Sequence, residues 1–275
     1  MEPLEVGVMF WGDAPPVEKI RYVKGLGVKC GQLGMAGDAD LSRPAAAAWR
    51  DALRAEGFEL ATVFAAYTGE NYADIPTVQR TVGFIPPATR AEREARTLEL
   101  SDFTAVLGVK SIACHIGYVP HDQNHADYIA VRDMVRRVCD RAAGNGQTFA
   151  LETGQEPAAT LKQFLASVGR PNLKVNFDPA NMILYGTGDP IEALEVIRDD
   201  VVSVHCKDGD WPPKGVDGAL GVEQPLGKGA VGIPRFVDKL KEIGYTGPLT
   251  IEREVHGEQQ RKDILAAITL LRSLR

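Results

Sequence analysis

Eight short apolar runs alternate with stretches of helical period along this chain of 275 residues. We predict a strand for each run: Leu4–Met9, Val28–Leu33, Glu59–Phe64, Lys110–Cys114, Thr148–Leu151, Leu173–Phe177, Val201–Val204 and Leu249–Ile251. Strands that alternate with helices pair in parallel through right-handed crossovers. Eight such units can close into a barrel, which takes about 250 residues. The pattern therefore predicts a single-domain α/β fold, a (β/α)8 TIM barrel over residues 1–275. A doubly wound open sheet is the competing arrangement, but no G-x-G-x-x-G motif follows the first predicted strand.

Stretches with helical period lie between the strands. The clearest predicted helices are Arg43–Glu56, Arg90–Leu107, Ala126–Gly144, Ala158–Val168 and Gln259–Leu274. In the second of these, Ala91 and Ala95 belong to an apolar face opposite Glu and Arg residues, as in a helix packed on a sheet. Two long segments without such a period follow the third and seventh strands, at Ala65–Ala88 and Cys206–Gly232. Loops of this length inside a compact domain are usually binding loops or lids.

Composition excludes several classes of protein. The formal net charge is −6, which argues against non-specific nucleic-acid binding because that relies on Lys and Arg. Four scattered cysteines form no C-x-x-C pair, so we expect buried free thiols rather than a zinc knuckle or a disulfide framework. Met1–Phe10 lacks the pattern of a signal peptide, and no apolar run approaches a membrane span. We expect a cytoplasmic protein with no membrane partner.

A polar residue follows each of the last four predicted strands: Glu152, Asp178, His205 and Glu252. Each one alone fits a packing role, such as a salt bridge, a helix N-cap, a core histidine or a pair with Arg253. In a parallel barrel, however, these strand ends open onto one mouth. Three carboxylates and an imidazole that meet there form a ligand set for a divalent cation. We expect Mn²⁺ first, with Mg²⁺, Co²⁺ and Zn²⁺ as alternatives.

Such a site suits proton transfer beside a carbonyl. A cation with open positions can bind adjacent oxygens of a sugar, polarise its carbonyl and stabilise an enediolate. Glu152 and Glu252 would then act as base and acid. Proton removal by one and return by the other inverts a carbon, whereas removal and return on one face moves the carbonyl.

Four motifs carry a resemblance to a known family: Phe177-Asp178-Pro179-Ala180-Asn181, His205-Cys206-Lys207-Asp208, Gly227-Lys228-Gly229 and Ile251-Glu252-Arg253-Glu254. They resemble the sugar phosphate isomerase/epimerase family, part of the xylose isomerase-like barrel superfamily. That superfamily includes ketose 3-epimerases, inosose dehydratases, hydroxypyruvate isomerases and endonuclease IV. The resemblance implies a carbohydrate substrate, the same four metal ligands, Glu152 and Glu252 as the acid/base pair, and assembly as a homodimer or homotetramer.

The chain departs from the ketose 3-epimerases at two positions. Asn181 stands where they have a histidine, and Trp211 stands where they have an arginine, and both of those residues contact substrate there. A metal-dependent lyase acting on a keto-inositol or a 3-keto-glycoside is therefore the main alternative. A hydroxypyruvate isomerase and a non-catalytic sugar-binding barrel are further alternatives. Five histidines and a negative net charge argue against an endonuclease with a three-metal cluster.

Seven further residues are candidates for substrate contact: Trp11, His115, Glu156, Asn181, Lys207, Asp208 and Trp211. Each has a plainer interpretation beside the functional one. His115 fits a packed core histidine, Lys207 and Asp208 fit an ion pair at the rim, and Glu156 fits the positive end of the following helix. No glycine-rich phosphate cradle is visible, so we expect an unphosphorylated substrate.

Overall fold

Eight parallel strands close into a barrel in the computed structural model, which describes residues 3–275. The described residues contain ten strands: β1 Val6–Trp11, β2 Cys30–Met35, β3 Glu59–Ala65, β4 Ser111–Cys114, β5 Thr148–Glu152, β6 Leu173–Phe177, β7 Val201–Cys206, β8 Asp208–Asp210, β9 Val222–Gln224 and β10 Leu249–Ile251. All but β8 and β9 belong to the barrel. Around the barrel they run β1-β10-β7-β6-β5-β4-β3-β2, and β2 closes the circle by pairing with β1. The predicted barrel is confirmed, with Met1 and Glu2 outside the described residues.

Helices follow the strands, and most of them cover the outside of the barrel. They are α1 Pro16–Lys24, α2 Arg43–Glu56, α3 Ile75–Thr81, α4 Arg90–Leu107, α5 Ala126–Gly144, α6 Ala158–Val168, α7 Pro179–Tyr185, α8 Pro190–Val196, α9 Ile233–Glu242 and α10 Gly257–Leu274, with a 3-10 turn at Arg198–Asp200. Four of the five predicted helices have the predicted bounds, and α10 begins two residues earlier than expected.

The buried face of α4 differs from the prediction. Ala91 and Ala95 are exposed, whereas Arg93 and Thr97 are buried. Arg93 is tolerated there because its guanidinium donates hydrogen bonds to the carbonyls of Gly83 and Thr68. Buried charged groups need such partners, and a rule based on apolar periodicity alone cannot anticipate them.

Both long loops lie at the mouth formed by the carboxyl ends of the barrel strands, and each contains structure of its own. The loop after β3 contains α3, and the loop after β7 contains an antiparallel hairpin of β8 and β9. The two loops meet where the amide of Ile75 donates to the carbonyl of Gly218 at 3.0 Å. An apolar cluster that includes Val78, Tyr185 and Leu220 packs at this junction. The loops therefore form one wall over the mouth.

The four cysteines are free and buried, as predicted. Within residues 3–275, none of the helices is long and apolar enough to cross a membrane.

Candidate metal centre

The four predicted ligands converge at the carboxyl ends of four neighbouring strands. Glu152 is the last residue of β5, Asp178 follows β6, His205 lies in β7 and Glu252 follows β10. Each offers one ligand atom, and these atoms all lie within 4.8 Å of one another. His205 Nδ1 lies 2.8 Å from Glu152 Oε1, 3.2 Å from Glu252 Oε2 and 3.8 Å from Asp178 Oδ2. Three carboxylate oxygens and one nitrogen therefore face a common point.

Asp178 uses its two oxygens for different purposes. Oδ1 accepts from the amide of Asn181 at 3.0 Å and caps α7. The backbone of Asp178 is fixed by Thr153, whose Oγ1 accepts from its amide and donates to its carbonyl, both at 2.8 Å. Oδ2 is buried and has no hydrogen-bond partner among the described residues. Burial raises the pKa of Asp178 to about 6. A buried oxygen without a partner needs an explanation, and a cation supplies one.

Two buried cations balance the carboxylates in this structure. Burial opposes the charge on His205, but the carboxylates of Glu252 and Glu152 outweigh it and hold the pKa of His205 well above its usual value. Burial likewise opposes the charge on Lys207, and Glu252 leads the carboxylates that keep its pKa high. Burial raises the pKa of Glu252, but His205 and Lys207 together hold it well below the usual value. The cluster is therefore built around positive charge.

The donor set fits a hard divalent cation. Its ligands are carboxylate oxygens with one imidazole, whereas structural zinc favours thiolate and imidazole. None of the four cysteines belongs to the cluster. The composition, the spacing of the ligand atoms and the unpartnered Oδ2 of Asp178 together make Glu152, Asp178, His205 and Glu252 a site able to bind such an ion.

Three of the predicted substrate contacts surround this cluster. His115 Nε2 lies 3.0 Å from Glu152 Oε2, and Asn181 Nδ2 lies 3.4 Å from Glu152 Oε1. Lys207 Nζ donates to Asn181 Oδ1 at 3.3 Å and lies 3.3 Å from Glu252 Oε2. These side chains link the two glutamates through a chain of polar contacts.

Trp11 and Trp211 have different places. Trp11 ends β1, is 40% exposed and lines the cavity above the cluster. Trp211 is 45% exposed and is not among the residues that line this cavity.

Asp208 and Glu156 engage other groups. The carboxylate of Asp208 accepts hydrogen bonds from the backbone amides of Gly209, Gly227, Gly229 and Val231. Glu156 is buried outside the cavity lining, with Oε2 3.2 Å from His121 Nε2, and burial raises its pKa to about 7.

A cavity of about 550 Å³ opens above the ligand cluster. This volume is within the range of small-molecule sites. Aromatic side chains from several elements line it: Phe10, Trp11, Tyr22, Phe64, Tyr72 and Tyr185. The cavity thus combines apolar walls with a floor of convergent carboxylates.

The sequence prediction missed Gln32 and Thr153. Gln32 is fully buried in β2, and its Oε1 lies 3.1 Å from His205 Nε2. A signal for it existed, because it is a lone amide inside the predicted apolar strand Val28–Leu33. Thr153 had no comparable signal, since a threonine after a strand is common in loops.

A family model described as xylose isomerase-like TIM barrel matches residues 20–274. Among solved structures, a xylose isomerase domain protein from Planctomyces limnophilus is 43% identical, with a TM-score of 0.95, over 99% of this chain and 98% of that chain. No match was found among functionally curated proteins.

Two more distant solved structures share the fold. A 3-keto-D-glucoside 4-epimerase from E. coli is 17% identical, with a TM-score of 0.73, over 98% of this chain and 99% of that chain. A probable 3-DHS dehydratase from Bacillus anthracis is 13% identical, with a TM-score of 0.69, over 97% of this chain and 99% of that chain. At these identities the likeness concerns the fold alone.

Proposed function

The chain belongs to the xylose isomerase-like TIM-barrel family, and on this premise we propose that it is a divalent-metal-dependent isomerase or epimerase of an uncharged sugar or sugar derivative. One observation carries the proposal. Two glutamates, Glu152 and Glu252, contribute to the same ligand cluster from strands on either side of the β6–β7 pair. Their carboxylates lie 2.8 and 3.2 Å from the same nitrogen of His205. A substrate held at this point would have a proton acceptor on each side.

A bound divalent cation supplies polarisation of the substrate carbonyl and lowers the cost of negative charge beside it. Glu252 is ionised at neutral pH, since His205 and Lys207 outweigh the effect of burial and keep its pKa low. It can therefore accept a proton from the carbon next to the carbonyl. Glu152 is held by His115 and Asn181 and faces the same point from the other side.

The path of the proton decides the product. Removal of the proton by Glu252 on one side and delivery of a proton already held by Glu152 on the other side inverts the carbon, which is epimerisation, and exchange with solvent then resets both carboxyl groups. Removal from one carbon and return to its neighbour by a single glutamate moves the carbonyl, which is isomerisation.

Lys207 supports the same chemistry. Its side chain is 2% exposed, and its ammonium group donates hydrogen bonds to Asn181, Glu252 and Glu254. Donors fixed in a site that excludes water stabilise negative charge developing on a substrate oxygen. We assign Lys207 this role toward the oxygen beside the reacting carbon, which would replace Glu254 as an acceptor of one of its protons.

The charges around the cavity favour an uncharged substrate. Lys19 and Arg253 are the lysine and arginine among the described residues that line it. Lys19 pairs with Asp13. Arg253 pairs with Glu223 and Asp263, and its guanidinium lies 2.8 Å from each carboxylate. Both cations are therefore already neutralised. Neither side chain offers an unpaired positive charge to a phosphate group, and Arg is the residue usually used to bind one.

The test is a substrate screen in D₂O. Ketoses, keto-inositols and 3-keto-glycosides are incubated with the Mn²⁺-loaded protein and followed by NMR. We expect deuterium to enter at the carbon next to the carbonyl, together with an epimer or isomer of the substrate. EDTA should abolish the exchange and Mn²⁺ should restore it. Full exchange in metal-free protein would contradict the proposal, and substrate binding without exchange would favour a non-catalytic barrel.

A metal-dependent lyase is the second candidate. Asn181 favours it, because this amide contacts Glu152 and Lys207 at the position where ketose 3-epimerases have a titratable histidine. The same anion, formed from a keto-inositol or a 3-keto-glycoside, can expel a group from the adjacent carbon. Loss of a hydroxyl group or an aglycone in the same NMR screen would identify the lyase. Retention of every substituent would identify the isomerase or epimerase.

A further inference from the structure

We propose that Gln32 is a positioning residue that fixes the ring of His205, so that Nε2 keeps its proton and Nδ1 is presented to the cation site. This inference deepens the proposed function and rests on its metal centre. Gln32 lies in β2, and β7 is three strands away around the barrel. Its side chain therefore reaches across the barrel interior to a residue distant both in sequence and in the sheet.

The contacts at both ends of the amide define its orientation. Gln32 Oε1 lies 3.1 Å from His205 Nε2. At the other end, Gln32 Nε2 donates to the carbonyl of Val204 at 3.4 Å and to Asn176 Oδ1 at 3.2 Å. A backbone carbonyl can only accept a hydrogen bond. The nitrogen of the amide must therefore face Val204, which leaves its oxygen facing His205.

A second residue supports this orientation. Ser203 Oγ donates to Asn176 Oδ1 at 2.5 Å, so this oxygen accepts from both Ser203 and Gln32. If the Gln32 amide were reversed, its oxygen would face two acceptors, Val204 O and Asn176 Oδ1. Its nitrogen would then face the ring. The carbonyl of Val204 therefore selects this orientation of the Gln32 amide, and the orientation of Asn176 in the structure agrees with it.

This orientation assigns the proton of a neutral His205 ring. An amide oxygen accepts but cannot donate, so it pairs only with a protonated Nε2. The lone pair of the neutral ring is then on Nδ1, which faces the carboxylates of Glu152 and Glu252. Metal binding requires a neutral imidazole, and this tautomer is the one that leaves Nδ1 to the cation.

The chain offers three informative variants. Gln32→Met keeps the length of the side chain but removes the acceptor for Nε2. In Gln32→Glu, the protonated acid restores an acceptor for Nε2, and its hydroxyl group donates to the Val204 carbonyl as the amide nitrogen does. Thr62→Val is the matched control, because Thr62 is the neighbour of Gln32 in the β2–β3 register, is fully buried and has a hydroxyl without a hydrogen-bond partner among the described residues.

The experiment is calorimetric titration of Mn²⁺ into the metal-free protein of residues 1–275 without substrate. Loss of a partner that orients a metal-binding histidine typically weakens metal affinity about 10–100-fold. We expect that loss for Gln32→Met, recovery of most of the affinity in Gln32→Glu, and no change in Thr62→Val. Equal affinity of Gln32→Met and wild type would overturn the inference. So would equal losses in the Met and Glu variants, since a role in packing alone predicts no rescue by an acceptor.

A measurement on the unmodified protein keeps the inference testable if a variant does not fold. In protein labelled with ¹⁵N-histidine and loaded with Zn²⁺, long-range ¹H–¹⁵N spectra report which ring nitrogen of His205 carries a proton. We expect a protonated Nε2. A protonated Nδ1 would overturn the inference.

Wild-type protein that binds Mn²⁺ but exchanges no substrate proton would reject the proposed activity and leave the role of Gln32 intact, so the two failures are distinguishable.

Discussion

Glu252 and Glu254 are carboxylates two positions apart that contact the same ammonium group. Lys207 Nζ lies 3.3 Å from Glu252 Oε2 and 2.7 Å from Glu254 Oε1. Only Glu252 belongs to the ligand cluster, and the side chain of Glu254 is 61% exposed. Substituting each glutamate in turn therefore distinguishes a role at the reacting centre, which only Glu252 can have, from a role in balancing the charge of Lys207, which both share.

We expect Glu252→Gln to lower the rate of deuterium exchange at least about 100-fold, because general base catalysis contributes that much or more. It should also weaken Mn²⁺ binding, since a carboxylate ligand is lost. Glu254→Gln should change both quantities only slightly. Exchange kinetics in D₂O and calorimetry measure the two effects. Similar losses in both variants would mean that charge balance at Lys207, not proton transfer at Glu252, limits the reaction.

Glu156 gives a prediction about stability and pH. Burial raises its pKa from the usual 4.5 to about 7, against the favourable effect of His121. Between these values the folded protein holds a proton that the unfolded chain has released. Stability therefore falls as the pH rises across this interval, because the folded state binds more protons.

Glu156→Gln removes this titration, so the variant should be more stable than wild type above pH 7. The gain is at most about 3 kcal/mol, since one pKa unit corresponds to about 1.36 kcal/mol. Urea unfolding at pH 4.5, 6 and 8 measures it, and Glu258→Gln on the exposed start of α10 is the control. Parallel stability curves for wild type and Glu156→Gln would show that Glu156 ionises normally in the folded protein.

The ligands were predictable from the sequence because each is a polar residue that directly follows an apolar run. The residues that orient them were not, because they come from other strands. Gln32 reaches His205 across the barrel, and Thr153 fixes Asp178 from the end of a neighbouring strand. Such contacts depend on the closed geometry of the sheet. For the predicted substrate contacts, including Trp211 and Asp208, binding of a sugar stays a prediction.

At the scale of elements, Asp208 holds the loop after β7 in place. Its carboxylate accepts four backbone amides, at 2.9 Å from Gly209 and Gly227, 3.0 Å from Gly229 and 3.1 Å from Val231. Gly229 must lack a side chain because a Cβ there would collide with this carboxylate. One buried aspartate therefore organises the turn that connects the β8–β9 hairpin to α9.

We expect Asp208→Ala to destabilise the fold by about 3 kcal/mol or more, because hydrogen bonds to a charged group are strong and several amides lose their partner. Lys228→Ala is the control, since Lys228 is exposed in the same turn. Urea unfolding measures both variants. If Asp208→Ala were as stable as Lys228→Ala, the turn would be held by its backbone alone.

Element bounds were predicted best where the apolar pattern was cleanest. β6 and β10 have the predicted bounds, whereas β1 and β2 lie two residues further along the chain than predicted. The shift arises because Leu4 and Val28 are buried before the ladder begins, and because Gly34 in β2 obscures the apolar pattern. The short α3 and the β8–β9 hairpin were missed, since their stability comes from contacts between loops.

At the scale of the whole molecule, the alternation of strands and helices was enough to predict a closed barrel. The order of strands follows from parallel pairing of consecutive units, and closure needs only the pairing of β1 with β10. How the two long loops meet could not be predicted, because a single backbone hydrogen bond and a small apolar cluster decide it. Assembly of subunits and cytoplasmic location stay predictions.

The candidate metal centre joins four strands of the barrel, so a bound cation should stabilise the entire fold. A ligand that binds only the folded state adds about 2.7 kcal/mol at a concentration of 100 times its Kd. For a domain of this size, 1 kcal/mol raises Tm by roughly 2–4 °C. We therefore expect saturating Mn²⁺ to raise Tm by about 5–10 °C in a thermal shift measurement.

Asp178→Asn is the matched control for this shift. Asparagine caps a helix about as well as aspartate, so α7 should keep its N-cap. The substitution replaces the unpartnered Oδ2 with a neutral amide and removes a ligand of the cluster. The variant should therefore fold, and Mn²⁺ should raise its Tm far less than that of the wild type. Equal shifts in both proteins would locate the bound cation elsewhere, and no shift with Mn²⁺, Mg²⁺, Co²⁺ or Zn²⁺ would mean that these four side chains hold no metal ion.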